Sequence, residues 1–172
     1  MPVPSAPSLY AIALGSNRRG RAGAPRAVLA AAVATLGALG RVRTVSPTIE
    51  TPPLGPGGRR FANAAALLES ALPPDAMLAA LKDMERRFGR RAGRRWGARV
   101  LDLDLILWSG GAWVSPGLVI PHPAWRQRGF VLAPLAAIAP DWRDPLTGRS
   151  VRQLARTCAR ARTGYVPLRV GP

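Results

Sequence analysis

The chain has 172 residues, 48% hydrophobic and 20% charged, so it is long enough and apolar enough to bury a core as one folded domain. This balance argues against wholesale disorder. The formal net charge of +16 comes almost entirely from arginine and predicts an anionic partner, either a nucleotide, a nucleic acid or an acidic lipid.

Residues 1–7 are predicted to be a flexible tail, and residues 8–172 a single domain. The N-terminal stretch lacks the charged start and long apolar segment of a signal peptide. No run approaches the roughly 20 apolar residues of a membrane span. Cys158 is the only cysteine, so no disulfide can form within the chain. We therefore expect a cytoplasmic protein that binds no membrane.

The first half of the chain alternates strand and helix patterns. Three segments have the alternation or the valine and threonine content of strands: 8–14, 41–50 and 61–70. A helix is predicted over 25–39, where Pro25 suits the first turn and alanine is frequent. A second helix is predicted from the start at 73–75 to Gly89, with helical spacing of apolar residues. A turn is predicted at 15–17 and a loop at 51–58, where glycine and proline are concentrated.

The second half begins with a basic loop and a strand over 100–108. A glycine turn at 109–111 predicts a short hairpin arm. Helical or mixed structure is predicted over 128–139, and a final helix over 150–162. The order predicts an α+β fold, a ferredoxin-like two-layer sandwich in which helices pack on one face of a mainly antiparallel sheet, followed by a C-terminal extension.

The basic loop and the strand after it carry the groups best suited to chemistry. Seven arginines lie between residues 86 and 99: Arg86, Arg87, Arg90, Arg91, Arg94, Arg95 and Arg99. On the strand, a period of two separates two carboxylates from the leucines of the opposite face: Asp102 and Asp104 against Leu101, Leu103, Leu105 and Leu107. Paired carboxylates hold Mg²⁺ and guanidinium groups bind phosphate, so together they predict a Mg²⁺-nucleotide site.

His122 is the only histidine and lies between Pro121 and Pro123, which keep its backbone extended. It is interpreted either as a structural side chain or as a group that donates to a phosphate or acts as an acid. With one histidine and one cysteine, a structural zinc site is disfavoured. No P-loop, dinucleotide fingerprint or G-x-S-x-G motif is found, so a nucleotide would be held by arginine and metal.

Simpler interpretations stay open at this point. A GC-rich coding sequence also produces surface arginines, and a basic loop or an acidic strand face can simply be solvated. A nucleic-acid-binding module on the same topology would explain the charge. It would not explain Asp102 and Asp104, because carboxylates repel phosphate unless a metal bridges them. A scaffold without activity would be expected to have lost this pair.

Five blocks resemble motifs of the 6-hydroxymethyl-7,8-dihydropterin pyrophosphokinase family of folate biosynthesis, in the family's order. The blocks are ALGSN at 13–17, ETPPLGP at 50–56, FANAA at 61–65, RWGARVLDLD at 95–104, and PHP at 121–123 with RGF at 128–130. The resemblance implies transfer of the pyrophosphoryl group of ATP to the hydroxymethyl group of the pterin, with release of AMP. It also implies two Mg²⁺ ions, and we expect a monomer with no specific nucleic-acid partner.

The resemblance implies a role for each matching residue. The metal ligands would be Asp102 and Asp104, and the catalytic groups would be these carboxylates with Arg90 and Arg99. The ATP contacts would be Glu85, Arg90, Trp96, Arg99, Leu105, His122 and Arg128. The pterin pocket would be formed by Thr51, Pro52, Pro53, Leu54, Phe61, Asn63, Trp96 and Phe130.

Three positions depart from the family pattern. A second loop arginine of many relatives is Ala92 here, the proline of the W-G-P-R block is Ala98, and a tyrosine common in the pterin pocket is Phe61. Another arginine of the loop is expected to substitute for the one missing at position 92. None of these departures removes a predicted metal ligand.

Overall fold

The computed structural model describes residues 6–52, 58–89 and 100–162. The elements in these ranges are β1 (Ser8–Ser16), α1 (Pro25–Leu36), β2 (Arg41–Val45), β3 (Ile49–Thr51), β4 (Phe61–Ser70), α2 (Pro74–Arg87), β5 (Asp102–Trp108), β6 (Trp113–Ser115), β7 (Leu118–Ile120), a 3₁₀ turn (Trp125–Gln127), α3 (Gly129–Ile138) and α4 (Val151–Arg162). None of the helices in this part of the chain is long and apolar enough to cross a membrane.

The main sheet has the strand order β2-β4-β1-β5, and β3 also pairs with β4. Every pair in this sheet is antiparallel. A separate two-stranded hairpin is formed by β6 and β7, as the glycine turn predicted. The mixed α and β composition and the antiparallel sheet are therefore confirmed, whereas the ferredoxin-like description stays a prediction.

The segment 41–50, predicted as one strand, forms two strands separated at residues 46–48. Ser46 Oγ accepts a hydrogen bond from the backbone N–H of Ala65 at 2.9 Å, and Pro47 has no N–H to donate. A side-chain oxygen and a proline thus interrupt the regular ladder. The end of β3 is Thr51, which lies opposite Phe61 and was predicted in the loop.

Helices cover both faces of the sheet, so the expectation of helices on one face only is wrong. The first face packs against α1 and α2 through a core that includes Ile12, Leu14, Leu29, Leu68 and Leu81. The second face packs against α3 and α4 through a core that includes Ala11, Leu67, Leu132, Leu135 and Leu154. The C-terminal extension therefore adds a third layer, which explains why both alternating sets of β4 are apolar.

A bulge in β5 moves Leu107 away from the face on which it was predicted. Leu105 pairs with Ile12 and Leu107 with Ala11, so Ile106 is an extra residue in the ladder. Leu101, Leu103 and Leu105 belong to the first-face core, but Leu107 belongs to the second-face core. Before the bulge, the alternation places Asp102 and Asp104 on the second face, at the end that α3 begins to cover.

Ionisation of Tyr10 is expected to destabilise the fold at alkaline pH. Its side chain is fully buried on the first face, and its hydroxyl donates to the carbonyl oxygen of Leu72. Burial raises the pKa of Tyr10 from 10.0 to about 12. Because the folded-state pKa is the higher one, the contribution of Tyr10 to stability is complete below pH 10 and is lost as the pH rises through 12.

We expect this ionisation to lower the free energy of unfolding by about 2–3 kcal/mol across that pH interval. Urea denaturation at the two ends of the interval measures the change. Tyr10→Phe is expected to lose this part of the pH dependence, since all other titrating groups are common to both proteins. An equal fall in both proteins would contradict the assignment to Tyr10.

Candidate active site

The polar residues singled out in the sequence meet at one end of the second face. The strand register sets two adjacent rows across β4, β1 and β5: Asn63, Gly15 and Asp102, then Ala65, Ala13 and Asp104. A Cβ atom at Gly15 would lie 3.5 Å from Asn63 Oδ1. Glycine and alanine therefore form a low floor between the amide of Asn63 and the two carboxylates. Gly15 was predicted in a turn, and only the strand pairing shows its place in this floor.

Asp102 and Asp104 are both partly exposed on β5. Residues two apart on a strand lie about 6–7 Å apart. In the described ranges no group of three or more His, Cys, Asp or Glu side chains is placed to hold a metal ion. Mg²⁺ uses one or two carboxylates and completes its octahedron with water and phosphate oxygens, so this pair of ligands suits it.

Two cationic or polar side chains approach the carboxylates from the segment after β7. Arg128 Nη1 lies 3.6 Å from Asp104 Oδ2, and both side chains are partly exposed. His122 is close enough to Asp104, Asp102 and Arg128 to feel their charges. The structure therefore brings together four of the predicted site residues from two separate stretches of the chain.

The imidazole of His122 accepts a backbone hydrogen bond, and its pKa is lowered. Its backbone N–H donates to the carbonyl of Ile106 at 3.1 Å, and its Nδ1 accepts from the N–H of Ala124 at 3.2 Å. Burial lowers the pKa of His122 and the Arg128 charge lowers it further, against the opposing effect of the two carboxylates. The ring is thus neutral at pH 7, with its proton on Nε2 as a hydrogen-bond donor.

Among the described residues of the predicted pterin pocket, Thr51, Phe61 and Asn63 lie together where β3 pairs with β4. Asn63 is buried, and its Nδ2 donates to Thr51 Oγ1 at 2.9 Å. Phe61 is two residues from Asn63 on β4 and opposite Thr51, and Pro52 follows as an exposed residue. Phe130 packs at the margin of the second-face core, where the Arg128 guanidinium lies 5.9 Å from the centroid of its ring. An amide and one aromatic ring thus lie on β4 beside the floor, and a second aromatic ring lies next to Arg128.

Two residues assigned to ATP lie on the other side of the sheet. Leu105 is buried in the first-face core, so its side chain is not brought to the carboxylates. Glu85 of α2 is fully buried, and its Oε1 accepts from the backbone N–H of Leu103 at 2.7 Å and from Lys82 Nζ at 2.9 Å. Glu85 therefore contacts the peptide that lies between Asp102 and Asp104.

Lys82 was not identified from the sequence. Its Nζ also donates to the carbonyl oxygen of Leu103 at 3.1 Å, so Lys82 and Glu85 bind both polar groups of one residue in β5. Because β5 is an edge strand, these side chains take the place of a neighbouring strand. The available signal was that Lys82 is the only lysine in a chain rich in arginine.

Five further site predictions lie outside the described residues: Pro53, Leu54, Arg90, Trp96 and Arg99. Their roles stay predictions. The site described above consists of the second-face floor, the two carboxylates, His122, Arg128 and the two phenylalanines.

The family model of 7,8-dihydro-6-hydroxymethylpterin-pyrophosphokinase (HPPK) matches residues 11–140 of the chain. Three relatives carry the name 2-amino-4-hydroxy-6-hydroxymethyldihydropteridine pyrophosphokinase. That of Pseudomonas aeruginosa is 40% identical over 150 residues, which cover 86% of this chain and 90% of the relative. That of Methylorubrum extorquens is 39% identical over 145 residues, covering 83% and 88% respectively. That of Synechocystis sp. is 43% identical over 100 residues, which span 58% of this chain and only 51% of the relative.

The fold is similar to that of a solved protein. The HPPK-DHPS protein of Plasmodium falciparum superposes with a TM-score of 0.70, at 14% sequence identity. The match covers 92% of this chain and 42% of the solved chain, so this protein corresponds to less than half of that one. At this identity, the likeness establishes the fold alone.

Proposed function

The chain belongs to the 7,8-dihydro-6-hydroxymethylpterin-pyrophosphokinase family, and we propose that it transfers the pyrophosphoryl group of ATP to 6-hydroxymethyl-7,8-dihydropterin in folate biosynthesis. The observation that carries the proposal is the row of Asn63, Gly15 and Asp102, which sets a buried amide and a carboxylate side by side on one face. This arrangement suits a reaction in which a heterocycle and a Mg²⁺-bound phosphate chain must lie next to each other.

Asp102 and Asp104 would hold two Mg²⁺ ions between them. Mg²⁺ held by these carboxylates would supply charge neutralisation and alignment of the triphosphate. The two residues lie about 6–7 Å apart along the strand, so both side chains would be available as ligands. The support for this assignment is the two carboxylates. The charged group beside Asp104 is Arg128, a cation, which cannot serve as a metal ligand.

The chemical step needs no covalent enzyme intermediate. The hydroxyl oxygen of the pterin attacks the β-phosphorus, the bond between the β-phosphorus and the oxygen bridging to the α-phosphate breaks, and AMP departs while the hydroxyl proton is released. The guanidinium of Arg128 and the Nε2–H of the His122 ring would donate to phosphate oxygens as charge moves between them. Arg90, Arg99 and Trp96 would complete the phosphate and nucleotide contacts.

The pterin would lie over the floor, with its edge at Asn63 and its faces near Phe61 and Phe130. Because Nδ2 of Asn63 is bonded to Thr51 Oγ1, the remaining amide oxygen is the group that can accept from a ring N–H. Thr51, Pro52, Pro53 and Leu54 would form the adjoining edge of the pocket.

Asn63→Leu tests this pocket. It replaces a buried hydrogen-bonding group with an apolar one of similar size, so we expect the KM for the pterin to rise about 10- to 100-fold. The KM for ATP is the internal control and is expected to change little. Steady-state kinetics with each substrate varied in turn measures both. A raised KM for ATP with an unchanged KM for the pterin would contradict this placement of the pterin.

Nucleotide product analysis tests the function itself. The protein is mixed with ATP, Mg²⁺ and 6-hydroxymethyl-7,8-dihydropterin, and AMP is separated from ADP over time. Pterin-dependent AMP in equal amount with the pterin diphosphate is the expected result. ADP would indicate an ordinary kinase, and no turnover with salt-sensitive RNA binding would favour a nucleic-acid-binding module.

We further propose that the enzyme is a cytoplasmic monomer whose single domain spans residues 8–172. It would have no specific nucleic-acid or membrane partner. Size-exclusion chromatography with light scattering tests the monomer, and a dimer at micromolar concentration would contradict it.

A further inference from the structure

The segment 122–128 carries a predicted site residue at each end, His122 and Arg128. The His122 backbone N–H donates to Ile106 of β5, and the Arg128 carbonyl accepts from the N–H groups of Val131 and Leu132 at the start of α3. The ends are therefore attached to the strand of the carboxylates and to the first turn of a helix. The position of the two side chains depends on how the residues between them are held.

The middle of the segment is held by two side chains. Trp125 is fully buried in the second-face core. Arg126 binds Asp144 with two parallel hydrogen bonds, Nε to Oδ2 and Nη2 to Oδ1, each 2.7 Å long. The Arg126 side chain is three-quarters covered and that of Asp144 is fully buried, so this ion pair is shielded from water and from salt.

Asp144 lies in the connection between α3 and α4, and its carboxylate is oriented by hydrogen bonds from that same connection. Its Oδ1 accepts from the N–H of Leu146 at 3.1 Å, and its Oδ2 accepts from Thr147 Oγ1 at 2.6 Å. Burial alone would raise the pKa of Asp144, but the hydrogen bonds from Arg126, Thr147 and Leu146 outweigh it and the pKa is lowered. The carboxylate is therefore charged at neutral pH.

The connection between α3 and α4 is also held by backbone hydrogen bonds that do not involve Arg126. The N–H of Asp144 donates to the Arg149 carbonyl at 2.9 Å, and the Gly148 N–H donates to the Asp144 carbonyl at 2.8 Å. The Arg126 pair is thus an additional link from this connection to the segment 122–128.

We propose that Asp144 is a positioning residue for the phosphate-binding side chains, because its buried ion pair with Arg126 holds the segment that presents His122 and Arg128 to Asp102 and Asp104. This inference rests on the proposed function. Asp144 itself contacts neither substrate, and it acts only through Arg126. Releasing Arg126 loosens the turn at Trp125–Gln127 and displaces the donors at both of its ends.

Asp144→Asn is the principal test, because it keeps the shape of the side chain and removes the charge. We expect the Kd of a non-hydrolysable ATP analogue with Mg²⁺, measured by calorimetry, to rise about tenfold, since small displacements of positioned groups carry large costs. The Kd of the pterin, measured by fluorescence, is expected to stay unchanged. The ring signals of His122, the only histidine in the chain, are expected to shift in the NMR spectrum at fixed pH.

Tyr10→Phe is the matched control for lost stability, because Tyr10 bonds to Leu72 on the opposite face of the sheet. It is expected to leave both Kd values and the His122 signals as in the wild type. All measurements are made well below the midpoint of thermal unfolding of each variant. If Asp144→Asn fails to fold, Arg126→Lys retains the buried charge but loses the paired hydrogen bonds, and the same changes are expected for it.

Two outcomes would overturn the inference. One is a wild-type Kd for the ATP analogue with unshifted His122 signals in a folded Asp144 or Arg126 variant. The other is equal weakening of ATP-analogue and pterin binding, which would mean a general loss of structure. A wild-type protein that forms no pterin-dependent AMP would instead contradict the proposed function, so the two failures are distinguishable.

Discussion

Asp102→Asn and Asp104→Asn are each expected to lower pterin-dependent AMP formation by more than about 1,000-fold while the protein stays folded. A metal site contributes several kcal/mol of stabilisation to a phosphoryl-transfer transition state, and each 1.36 kcal/mol is worth about tenfold in rate. The two side chains are partly exposed on β5, so asparagine is accommodated there without a buried unpaired group.

The measurement is AMP formation at saturating ATP and pterin over a series of Mg²⁺ concentrations. Asp141→Asn is the control, because Asp141 is 82% exposed and pairs only with Arg152 among the described residues. It is expected to keep the wild-type rate. Turnover close to that of the wild type in both β5 variants would refute the metal assignment.

Glu85→Ala is expected to lower the free energy of unfolding by about 3–5 kcal/mol, because it removes a fully buried carboxylate that accepts two hydrogen bonds and leaves a cavity. The carboxylate of Glu85 is fully buried and accepts from the Leu103 N–H and from Lys82 Nζ. Alanine would leave the Lys82 charge and the strand N–H without this acceptor, and would open a cavity beneath β5. Urea denaturation monitored by tryptophan fluorescence measures the loss.

Asp83→Ala is the matched control on the same helix. Asp83 pairs with Arg86 and Arg87, but its side chain is 40% exposed, and such surface pairs contribute at most about 1 kcal/mol. A loss in Glu85→Ala no larger than in Asp83→Ala would mean that the buried contact with Leu103 contributes little. The comparison thus separates the burial of the carboxylate from its charge.

Features with a local physical cause could be predicted from the sequence. The strand at Phe61–Ser70 was predicted as a strand although both of its faces are apolar, and the helix at Pro74–Arg87 has apolar spacing on one side and a proline in its first turn. The period of two on β5 separated Asp102 and Asp104 from the leucines before the bulge. The five motif blocks indicated the family because they combine residue types with fixed spacing, and neither depends on how distant segments meet.

Features that depend on contacts between distant segments were decided only by the tertiary structure. The bulge at Ile106 arises from pairing with β1 and moves Leu107 to the other core. The third layer depends on which face α3 and α4 reach, which the apolar content of those helices does not encode.

The floor of the site and its supports have the same origin. Gly15 becomes part of the floor only through its pairing with neighbours on two strands. Lys82, Glu85 and the Arg126–Asp144 pair connect elements that are far apart in the chain. The sequence by itself therefore determined the family and singled out the residues predicted to carry the chemistry, since both depend on short motifs. The placement of those residues relative to one another was decided by strand register and by buried polar contacts, which form only when the chain is folded.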